Sequence, residues 1–123
     1  MASSGPHYLI DKVIRLRCKK PYPDAHNHVI IGRVVDENES YIAVLGRSFH
    51  FAGILDRVTS KINPGRSNAI RVIPWGNVEL IHVLDGDRIN WSAEILFDNE
   101  KKHFFLDDEA HTVIAGRHDG ITN

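Results

Sequence analysis

Apolar and polar residues alternate along this chain in short runs separated by turn-forming residues. The sharpest case is 89–97, where Ile89, Trp91, Ala93, Ile95 and Phe97 fall on one side and Asn90, Ser92, Glu94 and Leu96 on the other. A period of two predicts a strand there. Residues 70–84 read as strand, tight corner, strand. Val72 and Ile73 are β-branched and suit a pleated surface. Pro74 cannot donate to a ladder and ends the strand. Gly76 and Asn77 then accept the backbone angles of a turn. Beyond the corner, Val78, Leu80, His82 and Leu84 alternate with Glu79, Ile81, Val83 and Asp85. Apolar residues on both faces predict a strand covered on both sides.

Further strands are predicted at 13–18, 28–35, 41–51, 103–106 and 111–115. The polar run Asp36-Glu37-Asn38-Glu39-Ser40 turns the second strand into the third as a hairpin, and Gly46 marks a bend within the third. Asp85-Gly86-Asp87 predicts a hairpin-type turn, and Asp98-Asn99-Glu100-Lys101 another. Residues 8–10 are either a short helical turn or an early start of the first strand. The stretch 52–69 is the least regular; Ile54, Leu55 and Val58 fit one face of a short helix that Asn63-Pro64-Gly65 ends. Residues 1–7 and 117–123 read as tails. The helical patterns of a parallel α/β sheet are lacking, so the expected fold is mainly all-β, a small barrel or sandwich.

Composition narrows the function more than the fold. At 123 residues the chain is expected to be one domain. A net charge of −1 gives no global attraction to nucleic acid or anionic membrane and leaves room only for a local basic patch. The single cysteine, Cys18, fits a reducing compartment. With no secretory leader pattern and no apolar run of membrane-spanning length, the expectation is a cytoplasmic protein without membrane contact.

Two motifs then suggest a family. Ile31-Gly32-Arg33-Val34-Val35-Asp36 followed by Tyr41-Ile42-Ala43-Val44-Leu45 is one; Val72-Ile73-Pro74-Trp75-Gly76-Asn77-Val78-Glu79-Leu80-Ile81 is the other. Together they resemble the two motifs of the Sm-like (LSm and Hfq) small β-barrels. Trp75 stands where the family carries the arginine of its second corner, and Asn38 lies out of register with the family's RNA-loop asparagine. The resemblance implies a strongly bent SH3-type barrel over 8–84, with 85–116 as a β extension packed on the same domain. It also implies a homo-oligomeric ring and a single-stranded RNA or other ligand site where the two loops meet. The implied site residues are Asn38, Ser40, Tyr41, Trp75, Gly76 and Asn77, with the aromatic rings stacking bases and the asparagines reading their edges. The rival reading makes Tyr41 and Trp75 packing residues and both asparagines turn formers, in a structural or protein-interaction SH3-type barrel without a nucleic-acid role.

Other chemistry is sparser. His26 and His28, with Asp24, have donor types that suit a metal, and Asp107, Asp108, Glu109 and His111 form a second polar cluster. Cys18 beside Lys19 and Lys20 has neighbours that lower a thiol pKa. Arg15, Arg17, Lys19 and Lys20 form one basic set, and Arg57, Lys61, Arg66 and Arg71 another. No nucleophile elbow, phosphate loop or dinucleotide fingerprint occurs. The expectation is a non-enzymatic binding protein with no cofactor and no dedicated metal site.

Overall fold

The computed structural model describes residues 8–20, 27–52, 61–64 and 68–116. Within them the chain is all-β with antiparallel sheets. Strands β1 (Val13–Cys18), β2 (Asn27–Glu37), β3 (Tyr41–Ala52), β4 (Lys61–Pro64), β5 (Ala69–Pro74) and β6 (Val78–Leu84) form one sheet. Strands β7 (Ile95–Asp98), β8 (His103–Leu106) and β9 (Val113–Gly116) form a second. The first sheet runs β4-β3-β2-β1-β6, and β5 also pairs with β3. β3 is long enough for two partners: β5 takes Tyr41 to Gly46, and β4 takes Phe49 to Ala52. The change of partner falls just after Gly46, which is paired with Gly32 of β2. A β-carbon on Gly32 would lie 2.3 Å from the Leu45 carbonyl oxygen, so only glycines allow the backbones to crowd here.

The middle of the first sheet, in β2 and β3, is buried on both faces. Ile14, Leu16, Ile30, Val34, Ile42, Val44 and Ile73 form an inner cluster, joined by Trp75, Val78 and Ile81. Val29, Ile31 and Phe49 point the other way, where Phe104, Leu106 and Ile114 of the second sheet cover them. This explains the unbroken apolar run Val29-Ile30-Ile31: alternate residues enter different cores. Two arginines fasten the cover. Arg15, only 4% exposed, donates to the Val113 carbonyl at 2.7 Å and to His82 Nδ1 at 3.1 Å. Arg47 donates to the carbonyls of Trp91 at 3.0 Å and Ala93 at 2.9 Å and lies over the Phe49 ring. At the opposite end of β2, Glu37 accepts from the backbone N–H groups of Leu9 and Ile10, holding 8–10 as a turn ahead of β1.

Several expectations are corrected. Only Ile95–Asp98 of the alternating stretch is a strand; 89–94 is coil and turn. Its odd residues still pack into the outer core, so the alternation records burial under a sheet rather than a ladder. Asp85-Gly86-Asp87 is not a hairpin turn: Gly86–Arg88 is a 3₁₀ turn, and β6 pairs with β1 rather than β7. β6 is not covered on both sides, since Val83 is 56% exposed. Asn63 and Pro64 end no helix but belong to β4, and the helical expectation for 54–58 lies outside the described residues. Among the described residues, no helix is long and apolar enough to cross a membrane.

Candidate functional site

The corner between β5 and β6 is a single 3₁₀ turn, Trp75–Asn77, entered through Pro74. The loop between β2 and β3 meets it. The Trp75 backbone N–H donates to the Ser40 carbonyl at 3.3 Å, and its indole Nε1–H donates to the Asn38 carbonyl at 2.6 Å. Asn38, Ser40, Tyr41 and Trp75 are therefore brought together.

Several of their polar atoms are engaged within the loop and the corner. Asn38 Oδ1 accepts from the backbone N–H groups of Ser40 at 2.8 Å and Tyr41 at 3.0 Å, which makes it a turn former. The Tyr41 hydroxyl donates to Asp36 Oδ2 at 3.1 Å. Trp75 is half-buried, with its ring against the inner cluster. Gly76 and Asn77 differ: both are exposed, and a β-carbon on Gly76 would meet nothing. The Asn77 carbonyl accepts from the Lys19 backbone N–H at 2.8 Å and so ties the corner to the end of β1.

Between that end and the corner lies an open groove of about 560 Å³. Lys19, Lys20, Gly76 and Asn77 form its polar rim, and Val72, Ile73 and Pro74 its apolar wall. Cys18 and His28 also line it. The groove was not foreseen; the cue was the Cys18-Lys19-Lys20 run at a strand end that the sheet order returns to the corner. Of that basic set, Arg15 is buried beneath the second sheet and Arg17 pairs with Glu79 at 2.6 Å. The exposed cations at this end are thus Lys19 and Lys20. In the other set, Arg71 donates to the carbonyls of Gly46 and Ala69, while the side chains of Arg57, Lys61 and Arg66 lie outside those described.

The titratable groups behind the groove are shifted by burial. His28 and His50 are paired across β2 and β3, their rings stacked with centroids 4.0 Å apart. Burial, then His50, then Arg71 push His28 down to about 4, so it is neutral near pH 7. Among the described residues, its buried Nε2 has no hydrogen-bond partner. Burial pushes the Cys18 thiol up, the reverse of the activation that Lys19 and Lys20 suggested.

The remaining clusters have structural work. Asp108 accepts from Asn90 N–H and from the Thr112 hydroxyl and N–H, fixing the loop before β9. Glu109 pairs with Arg88 at 3.5 Å. Asp24 and His26 lie outside the described residues. Among the described residues, no three His, Cys, Asp or Glu side chains are gathered ready to hold a metal. No family model, curated protein or solved structure matches the chain.

Proposed function

We propose that this chain is a non-enzymatic β-module that assembles with copies of itself through β5 and β6 and binds a ligand on the face carrying the corner. One observation carries the assembly. β5 pairs only with β3 and β6 only with β1 among the described residues, so each leaves an open edge. Ile70 at 63% and Val72 at 58% exposed lie on β5, and Val83 on β6 is similarly exposed. Unpaired edges with apolar flanks are templates for another strand. β5 of one copy pairing with β6 of the next is a head-to-tail contact, which closes into a ring when the rotation allows. The Sm-like motifs point the same way.

Single-stranded RNA is the first ligand to test, because a ring repeats Lys19, Lys20 and Asn77 around one face despite the near-neutral subunit. The second reading is an assembly or protein-interaction module without nucleic acid. It is favoured by the inward engagement of Asn38 and Trp75, which leaves neither the asparagine oxygen nor the indole N–H free for a base. A lone cysteine suits the reducing cytoplasm as the place of either activity.

Native mass spectrometry of the purified protein, with the 260/280 nm absorbance ratio taken first, tests both parts. A single closed oligomer that Val72→Lys converts to monomer supports assembly through β5, and co-purified nucleic acid supports RNA. A monomeric wild-type protein overturns the assembly.

A further inference from the structure

The groove between the end of β1 and the corner joins two unlike surfaces. Its rim carries Lys19 and Lys20, both exposed, and among the described residues neither ammonium has a hydrogen-bond or ion-pair partner. Its wall is aliphatic: Val72 is 58% exposed, Pro74 is exposed, and Ile73 belongs to the inner cluster. No carboxylate lines this groove among the described residues. Glu79, on the far side of the same lysines, is taken up by Arg17 at 2.6 Å. The neutral His28 imidazole and the Cys18 thiol add no negative charge.

The two surfaces are held in a fixed relation. The β1–β6 register slips between Arg17 and Cys18, so that Arg17 faces Leu80 and Cys18 faces Val78. Such an irregularity re-aims the side chains at a strand end. Immediately beyond it, the Lys19 backbone N–H donates to the Asn77 carbonyl at 2.8 Å. Backbone thus ties the lysine pair to the turn that follows the aliphatic wall.

We propose that this groove binds a small amphipathic carboxylate, an aliphatic acid whose chain lies on Val72, Ile73 and Pro74 and whose carboxylate meets Lys19 and Lys20. The inference rests on reading the corner face as a ligand face and names the ligand class; it needs neither assembly nor RNA. Charge complementarity selects the anion, because two ammonium groups stand at the rim with no acid against them. The wall selects the body, because an aliphatic chain laid on Val72 and Pro74 removes apolar surface on both partners from water. Bases are gripped on aromatic platforms, and no Phe, Tyr or Trp ring lines the groove among the described residues. A volume of about 560 Å³ suits a small molecule.

The full chain is titrated with sodium octanoate and followed by calorimetry and by amide NMR shifts. The expected result is saturable binding of one octanoate per chain, with shifts concentrated at Lys19, Lys20, Val72, Gly76 and Asn77. Acetate, which keeps the charge, and octanol, which keeps the chain, each bind at least about tenfold more weakly. Lys19→Glu combined with Lys20→Glu weakens octanoate by a similar factor, whereas Lys101→Glu, between β7 and β8, leaves it unchanged. Circular dichroism checks the fold of the double variant; should it fail, Lys20→Met is read in its place. No saturable binding, equal binding of acetate or octanol, or indifference to the lysine variants overturns the proposal. A mixed-sequence oligoribonucleotide is titrated in parallel. If it shifts the same amides and octanoate shifts none, this ligand class fails and the ligand face stands; if neither shifts them, both fail.

Discussion

Gly46 faces Gly32 so closely that a β-carbon built on it would lie 2.1 Å from the Ile31 carbonyl oxygen and 2.5 Å from the Gly32 α-carbon. The obstacle is backbone, which cannot swing aside as a side chain can. Gly46→Ala is therefore expected to destabilise the fold by about 3 kcal/mol, the upper end for overpacking. Gly76→Ala, facing open space, stays within about 0.5 kcal/mol of wild type. Urea unfolding of the two variants checks the contrast, which vanishes if the Gly46 crowding is relieved at no cost.

Trp75 offers a test of the corner. Trp75→Phe keeps an aromatic ring against the inner cluster but removes the indole N–H that donates to Asn38. The expected loss is about 1 kcal/mol, the net worth of one hydrogen bond. Trp75→Ala loses the ring as well and falls by about 3 kcal/mol. Thermal melts of both rank them; a Trp75→Ala variant as stable as wild type would mean that the ring packs on nothing.

Arg15 reaches 98 residues along the chain to the Val113 carbonyl. Arg15→Met keeps much of the stem but leaves that carbonyl without its donor. The expected cost is about 2 kcal/mol, the range for hydrogen bonds to charged groups. It should appear as faster amide exchange in β8 and β9, with β1–β3 least affected. Uniform exchange throughout would show that the arginine does not act locally.

The His28 shift gives a pH dependence. Its folded pKa, about 4, lies below the ordinary 6.5, so the unfolded chain binds more protons between these values. Stability from the neutral imidazole is complete above pH 6.5 and is lost as pH falls toward 4. Melts from pH 7 to pH 4.5 should show this decline, and His28→Gln should flatten it. An unchanged slope in the variant would assign the acid sensitivity to other groups.

How far the sequence displays this structure depends on how local each feature is. The strand–corner–strand over 70–84 is legible because Pro74 and Gly76 act on the chain next to them. The β2–β3 hairpin is legible for the same reason, with Asn38 folding its own turn. Residues 89–94 mislead because alternate burial beneath a neighbouring sheet imitates the period of a ladder. Arg15 reads as part of a basic set, and nothing near it or near Arg47 in sequence announces that a distant sheet will cover them. The loop and corner residues do meet, but that Asn38 and Trp75 turn their polar atoms to the backbone is decided by angles no residue pattern encodes. The neutral His28 likewise follows from packing around it rather than from its neighbours in the chain.

The two arginine anchors also bear on where this protein can be cut. Ending the chain after β6 would strip the cover from Val29, Ile31 and Phe49 and remove the Val113, Trp91 and Ala93 carbonyls that receive Arg15 and Arg47. Two cations would face uncovered apolar surface, a prescription for aggregation rather than for a smaller soluble domain. Because those acceptors are main-chain oxygens, the grip itself asks nothing of the segment's outward side chains, whereas Phe104, Leu106 and Ile114 must stay apolar to cover the sheet. The covering segment is thus fixed in its backbone and its inward side chains, and its outward positions are the natural place to graft new surface chemistry onto an unchanged scaffold.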